Sequence, residues 1–425
     1  MDFAQEHTGS YYAASANGIA DFPRLKGDIR ADVCVIGAGF TGVATALTLA
    51  ERSYSVCVLE ANRIGWGASG RNGGQLIGGI SGENKLAKAN PGLEDLLWGL
   101  RWRGHEIVRD RVERYDIDCD LKAGYVDVAI KPRHVADLET EEKRLSRYNF
   151  PFEYNLLSAE DTRDLLGTDA YIGALKNMGN GHLHPLNLCA GEAQAAASLG
   201  VQFFEQSAAM RLDHGEAVRV STAEGSVTAD YVVLAGNAYQ SLVKSLYTRF
   251  FPVRSYIIAT EPLTDEQLDS VNPHDLAVCD PNFVLQYFRL SADKRLLFGG
   301  RMSYMGEDPK IIAGKLQPRM EKIFPQLRGI GVDYAWGGTI AVPINRVPQL
   351  GRAAPNVFYS NAYSGHGVNV THLAGEIMAD VIGGTAETFD IFSAFRSTRI
   401  PGVKRLGNSM VSIGVAYYAL KDKLL

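Results

Sequence analysis

Cysteine is scarce in this chain of 425 residues. The five thiols (Cys34, Cys57, Cys119, Cys189, Cys279) are scattered, odd in number and free of any Cys-x-x-Cys pair. That argues against a zinc or disulfide framework and for reduced thiols in the cytoplasm. None lies beyond residue 279. Basic runs are missing as well: the formal net charge is -5, and no Lys/Arg stripe alternates with aromatics, so nucleic acid is not expected as a partner. No window approaches the roughly 18 consecutive apolar residues that span a bilayer. The longest approach, Met410 to Leu420, is interrupted by Ser412 and Gly414 and reads as a packed terminal helix or a segment that dips into a membrane surface. Met1 to His7 lacks the basic and apolar regions of a secretory signal. Internal repeats and Pro/Ser-rich linkers are also lacking, so an interleaved architecture is expected rather than two halves in tandem.

What is present begins at Asp32. Val33, Val35 and Ile36 form a buried strand that runs into Gly37-Ala38-Gly39-Phe40-Thr41-Gly42. The first glycine permits a tight turn, the second lets backbone N–H groups approach a pyrophosphate, and the third lets the next helix pack on the strand. The helix, Gly42 to Arg52, points its N-terminus at the phosphates. Val56, Val58 and Leu59 make a second strand that ends at Glu60, 18 residues after Gly42, where a carboxylate can accept ribose hydroxyls.

In the stretch from Arg63 to Gln75, seven of thirteen residues are Gly, Ala or Ser. This loop has too little apolar mass for core, and reads either as a flexible surface loop or as a second cradle of main-chain N–H groups along an extended ligand. Its position directly after the ribose acid favours the cradle, and a cradle is what FAD, unlike NAD, requires. No second Gly-x-Gly-x-x-Gly follows a strand, so electrons are expected to come from an organic substrate rather than from NAD(P)H.

The fold expected is α/β: a Rossmann-like FAD-binding domain made of residues 31–85, 180–250 and 340–390, interleaved with an α+β substrate domain on a mostly antiparallel sheet, 86–179 and 251–339. Residues 391–425 are expected to form a C-terminal helical segment. Leu93 to Tyr115 has helical spacing, and Tyr125 to Ile130 reads as a strand before a charged helix, Val135 to Arg147. Pro185 to Leu199 is an Ala-rich helix. Short β segments follow at 201–204, 217–222, 225–227 and 231–234, the last leading into Ala235-Gly236. Residues 253–260, 283–290, 295–299 and 333–341 read as roof strands, interrupted by a helix from Ile311 to Phe324. A short strand, 357–360, then opens through Tyr363-Ser364-Gly365-His366-Gly367-Val368 into a helix running through Met378. Such a helix start directs N–H groups and a positive dipole end at a ligand, here N1 and the C2 carbonyl of a reduced flavin, unless it is a helix start alone.

Taken together, the glycine turn, Glu60, Gly67 to Gln75, His182 to Leu188, Ala235 to Tyr239 and Tyr363 to Val368 resemble the gamma-glutamylputrescine oxidoreductases of the D-amino-acid oxidase and sarcosine oxidase superfamily. The resemblance runs from Ser10 to Tyr418. It implies FAD, a small amine substrate, and oxidative deamination of the free amine of a gamma-glutamylated polyamine to an aldehyde, as in polyamine catabolism, with oxygen or another electron acceptor. A flavin-dependent secondary-amine or amino-acid oxidase of the same fold is the alternative, and a flavin-binding module without turnover a third. Sarcosine-oxidase relatives attach FAD to a cysteine in the C-terminal half. This chain has none past Cys279, which implies non-covalent FAD, and the position of their oxygen-activating lysine falls near Leu297.

The FAD-contacting residues expected are Gly37, Gly39, Phe40, Thr41, Gly42, Glu60, Arg63, Gly67, Ala68, Ser69, Arg71, Asn72, Gly73, Gly74, Gln75, Leu76, Ala209, Ala235, Gly236, Gly365, His366, Gly367 and Val368. No metal is expected. Gln75 and His366 should border the reacting ring, with Tyr256 and Tyr287 as aromatic walls. Arg254, Arg289 and Arg301 are candidates for a fork on the glutamyl carboxylate. Arg289 and Tyr256 join Gln75 and His366 as the expected catalytic set. His184 is either a helix start or a substrate-side group.

Overall fold

Residues 5–239, 242–282, 285–303 and 308–400 are described by the computed structural model, with backbone only for 301–303. The Arg301 side chain, the segment 401–425 and the Met410 to Leu420 stretch therefore lie outside the described residues.

Val33-Cys34-Val35-Ile36 and Val56–Leu59 are apolar at successive positions and buried throughout, as strands covered on both faces must be. They lie in an eight-stranded sheet whose main order is 349–354, 357–361, 225–234, 27–36, 56–59, 202–204. The central pairs are parallel: Val35 stands beside Val58 on one side and Val233 on the other, and Leu234 beside Tyr359. One face carries Val33, Val35, Val58 and Phe358 against the helices Phe40–Glu51 and Gly367–Ile382. The other carries Cys34, Cys57, Val232 and Tyr359, together with Val218 and Val220 of an antiparallel strand. Because 27–36, 225–234 and 357–361 run in one direction, the turns at 37, 235 and 362 all leave the same edge of the sheet. That edge is where doubly wound sheets bind ligands.

The second sheet has nine strands, ordered 332–342, 251–260, 296–303, 287–290, 277–279, 122–129, 173–182, 75–76, with 154–157 also beside 173–182. Every pair in it is antiparallel except 277–279 with 122–129. Val126, Val128, Ile258, Phe288 and Phe298 point to one face, where helix Pro309–Ile323 covers them with Ile312, Leu316 and Met320. The opposite face looks toward the first sheet's ligand edge and toward helices Glu94–Arg114 and Pro132–Arg147.

Three elements differ from the sequence reading. Gly225–Leu234 is one ten-residue strand rather than two segments; its first half pairs with 218–221 and its second with 357–359, so continuous partners override the weak centre. Gly173–His182, with Gly173, Gly179 and Gly181, shows little β propensity yet is a strand, held on both sides by 122–129 and 154–157. Gln75–Leu76, assigned by sequence to the nucleotide half, pairs with His182 and Gly181 and so belongs to the second sheet.

Candidate active site

At the first turn, Gly37 has φ 106°, and a Cβ there would lie 3.0 Å from the Ala235 carbonyl carbon. A Cβ on Gly42 would run into the Gly37 carbonyl, and one on Gly39 would lie 2.8 Å from Ser69 Oγ. The helix begins at Phe40, whose N–H donates to Ser69 Oγ (2.9 Å). Glu60 faces this turn: Oε2 accepts the Ala38 N–H (2.8 Å) and Oε1 the Asn62 N–H (2.9 Å). Burial raises its carboxyl, and those backbone bonds pull the other way. The turn is thus a cradle that any side chain beyond hydrogen would fill, with an acid at its rim, and it fits the adenosine and pyrophosphate half of a dinucleotide.

The Gly-rich loop after Glu60 is not a loose surface segment. Arg63 leaves the cradle for carboxylates, donating to Glu6, Asp21 and the buried Glu205. Gly65 N–H donates to Ala38 O (2.8 Å), joining this loop to the first turn. Asn72 closes an internal turn by donating to Ala68 O and Ser69 O and accepting Gly74 N–H. Arg71 donates to Trp66 O (2.8 Å), and its guanidinium lies 4.3 Å from the centre of the Trp66 ring. Gly67 packs under Tyr239, with 3.2 Å from a Cβ to the ring. Gly73 lies beneath Tyr287, where a Cβ would come within 2.6 Å of the ring. Gln75 donates to the carbonyls of Val278 (3.0 Å) and Phe288 (3.4 Å), and Leu76 is buried with His105 Nε2 facing its carbonyl at 3.2 Å. Ala209 packs beside the Leu25, Cys57 and Leu59 cluster, near Ser207, whose N–H donates to Glu60 O.

The third turn joins the first two. Thr41 Oγ1 and Tyr363 OH are 2.8 Å apart, and Ala362 N–H donates to Asn237 Oδ1, next to Ala235-Gly236. Ala362, Ser364 and Gly365 all have positive φ, which bends the chain back so that the helix starts at Gly367. His366 Nε2 lies 3.3 Å from Gly78 O; burial, then the charge of Arg101, pushes its imidazole down, so the ring stays neutral. A Cβ on Gly367 would meet nothing nearer than 3.8 Å. Thus 37–42, 67–75, 235–236 and 365–368 converge at one edge, where their glycines and free helix starts can hold an FAD.

Several expected residues take other places. Arg289 is buried, and its donors go to Gly73 O, Leu290 O, Leu183 O and Tyr12 OH. Four of five N–H groups are spent on the protein, so Arg289 clamps the loop to the sheet and is not a free carboxylate fork. Tyr256 and Tyr287 do not wall one pocket. Tyr287 stands opposite Gly299, and Gly299 opposite Ile257, so these three share a face. Tyr256 is one residue on and points to the other face, under helix Pro309–Ile323, because side chains alternate along a strand. His184 is the helix start: Nδ1 accepts the Asn187 N–H (3.1 Å), Nε2 faces Ser15 Oγ (3.1 Å), and burial holds its pKa down at about 3. Arg254 is exposed on the strand 251–260 and makes no ion pair among the described residues.

Sequence reading passed over the residues on the second sheet's inner face beside Tyr287: Cys279 stands opposite Tyr287, and Asp127 beside Cys279. Tyr125 OH donates to Asp127 Oδ1 (2.9 Å). The signal that was available is the alternation Tyr125-Val126-Asp127-Val128, a carboxylate on the inward phase of an otherwise apolar strand.

A parallel sheet with a glycine cradle at its carboxyl edge, a second cradle after the ribose acid and a roof sheet over both defines a dinucleotide-dependent oxidoreductase. The chain belongs to the DAO family of FAD-dependent oxidoreductases, whose family model matches residues 32–381. It is 42% identical over 423 residues to the gamma-glutamylputrescine oxidoreductase of Escherichia coli (strain K12), covering 99% of each chain. It is 41% identical to the probable oxidoreductase OrdL of Haemophilus influenzae, covering 100% of this chain and 99% of that one. Among solved structures, glycine oxidase from Geobacillus kaustophilus superposes with a TM-score of 0.72 at 22% identity, over 87% of this chain and 99% of that one. L-amino acid deaminase from Proteus vulgaris gives 0.74 at 18%, over 89% and 100%. These two share the fold. The chain is therefore an FAD-dependent oxidoreductase, and among its described residues no helix is long and apolar enough to cross a membrane.

Proposed function

We propose that the enzyme oxidatively deaminates the free primary amine of a gamma-glutamylated diamine, gamma-glutamylputrescine in the first place, as a step of polyamine catabolism. The observation that carries this reading is the 42% identity to the E. coli enzyme over 99% of both chains. FAD held by these turns would supply the two-electron oxidation of the carbon that bears the amine. Water then replaces the imine nitrogen, so the amine and water yield an aldehyde and ammonia, and the two electrons pass on to oxygen or another acceptor.

This chain's part is positioning. Glu60 and the turn 37–42 would hold the adenosine end, and Gly73 to Gln75, fixed by Arg289 and Asn72, would lie against the ring. The Gly365 to Asn369 turn presents N–H groups and a helix start to the ring's pyrimidine edge, where charge accumulates on reduction. A neutral His366 adds no positive charge there, so that stabilisation falls to the N–H groups and the helix start. Tyr287 and the roof sheet exclude water from the reacting carbon. With Arg289 spent, and with Arg254 on the same strand phase as Tyr256, neither of these arginines is assigned to the glutamyl carboxylate.

Anaerobic mixing of the holoenzyme with gamma-glutamylputrescine, putrescine, sarcosine, glycine and D-alanine tests the reading. We expect gamma-glutamylputrescine to bleach the flavin fastest and to release ammonia with an aldehyde. Preferential bleaching by sarcosine with release of a primary amine, or by glycine, would instead establish the secondary-amine or amino-acid oxidase. FAD is proposed to be non-covalent, since no cysteine follows Cys279. Acid precipitation should then leave a colourless pellet and a yellow supernatant.

A further inference from the structure

The strand Lys122–Ala129 alternates strictly at its end. Val126 and Val128 enter the cluster under helix Pro309–Ile323, so Tyr125, Asp127 and Ala129 face the other way. Ala129 on that side packs with Leu138, Leu145, Phe150 and Leu175, against which Trp98 and Trp102 lie. Asp127 is thus on the same sheet face as Tyr287, in its row and two strands away, about 10 Å at ordinary strand spacing. Its other wall leads back to the flavin edge. The Trp102 ring sits against Gly78, in the space a Cβ there would need, and Gly78 offers its carbonyl to His366. Arg101, on the same helix, acts electrostatically on both His366 and Asp127.

Asp127 has one neutral donor, the Tyr125 hydroxyl, and no ion pair among the described residues. Arg101 is engaged by Glu83 and Glu141, and the remaining polar neighbours, Glu141 on its helix and the Cys279 thiol on the next strand, bring no positive charge. A buried carboxylate whose one nearby cation, Arg101, is already engaged by two other acids is costly, and a ligand cation reduces that cost. Burial, with the nearby Glu141 charge and against Arg101, pushes the Asp127 carboxyl up to about 6, so it is ionised at neutral pH and protonated in mild acid.

We propose that Asp127, backed by Tyr125, is the anionic subsite that pairs with a primary ammonium group of the substrate on the inner face of the roof sheet. The proposal rests on the amine-oxidase reading above. A gamma-glutamylated diamine carries two such groups, the α-ammonium of the glutamyl end and the amine to be oxidised, and both present the same chemistry to Asp127.

The test is anaerobic rapid-mixing of the holoenzyme with gamma-glutamylputrescine from pH 8 to pH 5, reading the substrate Kd and the limiting rate of flavin reduction separately. Wild-type affinity should fall as the pH drops through about 6, because protonation removes the anion. Asp127→Asn should raise Kd about 10- to 100-fold at pH 8 and flatten the profile, while Asp127→Glu, which keeps the charge, should recover part of the loss. Flavin absorbance and thermal unfolding report on each variant's integrity. Repeating the series with N-glutarylputrescine, which lacks the α-ammonium, separates the two groups. If the Asn penalty vanishes with it, Asp127 holds the glutamyl end; if it persists, Asp127 holds the reacting amine. An Asn variant that binds within twofold of wild type overturns the proposal. If that variant does not hold FAD, a wild-type Kd that is flat from pH 8 to pH 5 does so instead. If wild type is not reduced by gamma-glutamylputrescine at all, the amine-oxidase reading has failed on this substrate. Asp127 is then judged by the same profile with whichever amine does reduce the flavin, or overturned if none with an ammonium does.

Discussion

The nucleotide half and the roof half hold their ligands by different means. In the first, the groups proposed to face the cofactor are main chain: Gly37, Gly39 and Gly42 keep side chains off the turn, and the acid beside it, Glu60, is 23 residues from Gly37. In the second, the inner face is side chain, and its members Asp127, Cys279 and Tyr287 become neighbours only through sheet register. A site written in backbone geometry demands glycine wherever a Cβ would collide. A site written in side chains demands only the correct phase of a strand.

This contrast predicts where substitutions do most harm. Gly42→Val should have the largest effect, since its Cβ would enter the Gly37 carbonyl and push the first helix off its strand. The protein should be recovered colourless or insoluble. Recovery of a folded yellow enzyme with normal FAD stoichiometry would mean that the helix can shift off the Gly37 carbonyl without loss of the cradle. Gly367→Val comes next. A Cβ there meets no atom nearer than 3.8 Å, so damage is expected to read on the flavin rather than on folding. A side chain that holds the ring off this turn's N–H groups should cost about 3 kcal/mol in the barrier, on the order of a hundredfold in the reduction rate, and the flavin potential should fall with it. FAD-replete Gly367→Val reduced at the wild-type rate would make the turn a helix start and nothing more.

The same contrast explains what sequence alone could disclose. The cradle 37–42, the acid at 60, the loop 63–75 and the turn 363–368 were legible because each is contiguous and each glycine has a local steric reason. Arg289 was misread because its partners Gly73, Leu183 and Tyr12 are 216, 106 and 277 residues away, and no local pattern announces that its N–H groups are already taken. The strand 173–182 was invisible for a related reason: its glycines lower its own propensity, and the flanking strands that hold it lie elsewhere in the chain. Asp127 was overlooked because one carboxylate in a strand is usually solvated, and only the register with Cys279 puts it on the roof's inner face.

Glu60→Gln should act more weakly than either glycine change. Gln retains one carbonyl oxygen for the Ala38 N–H but cannot also accept from Asn62, and it loses the charge that favours ribose hydroxyls. FAD retention on dilution should weaken about tenfold with substrate preference unchanged. A variant that keeps all its flavin yet loses turnover would move Glu60 out of the nucleotide half.

The smallest effect is expected where the two halves have been easiest to confuse. Tyr256 and Tyr287 are aromatic residues on nearby strands, and a sequence reading places both over the substrate. Register separates them: Tyr287 lies on the inner face above Gly73, and Tyr256 packs under Leu316 and Met320 on the outer one. Tyr256→Phe keeps the ring and removes only a hydroxyl on the face away from the flavin. It should change unfolding stability by ~1 kcal/mol at most and leave the flavin reduction rate within about twofold. Tyr287→Leu removes a ring that covers Gly73 and should slow reduction about tenfold while changing the flavin spectrum. If Tyr256→Phe slows reduction as much as Tyr287→Leu does, the outer face also reaches the substrate, and the division between a backbone-built cofactor site and a single side-chain-built wall breaks down.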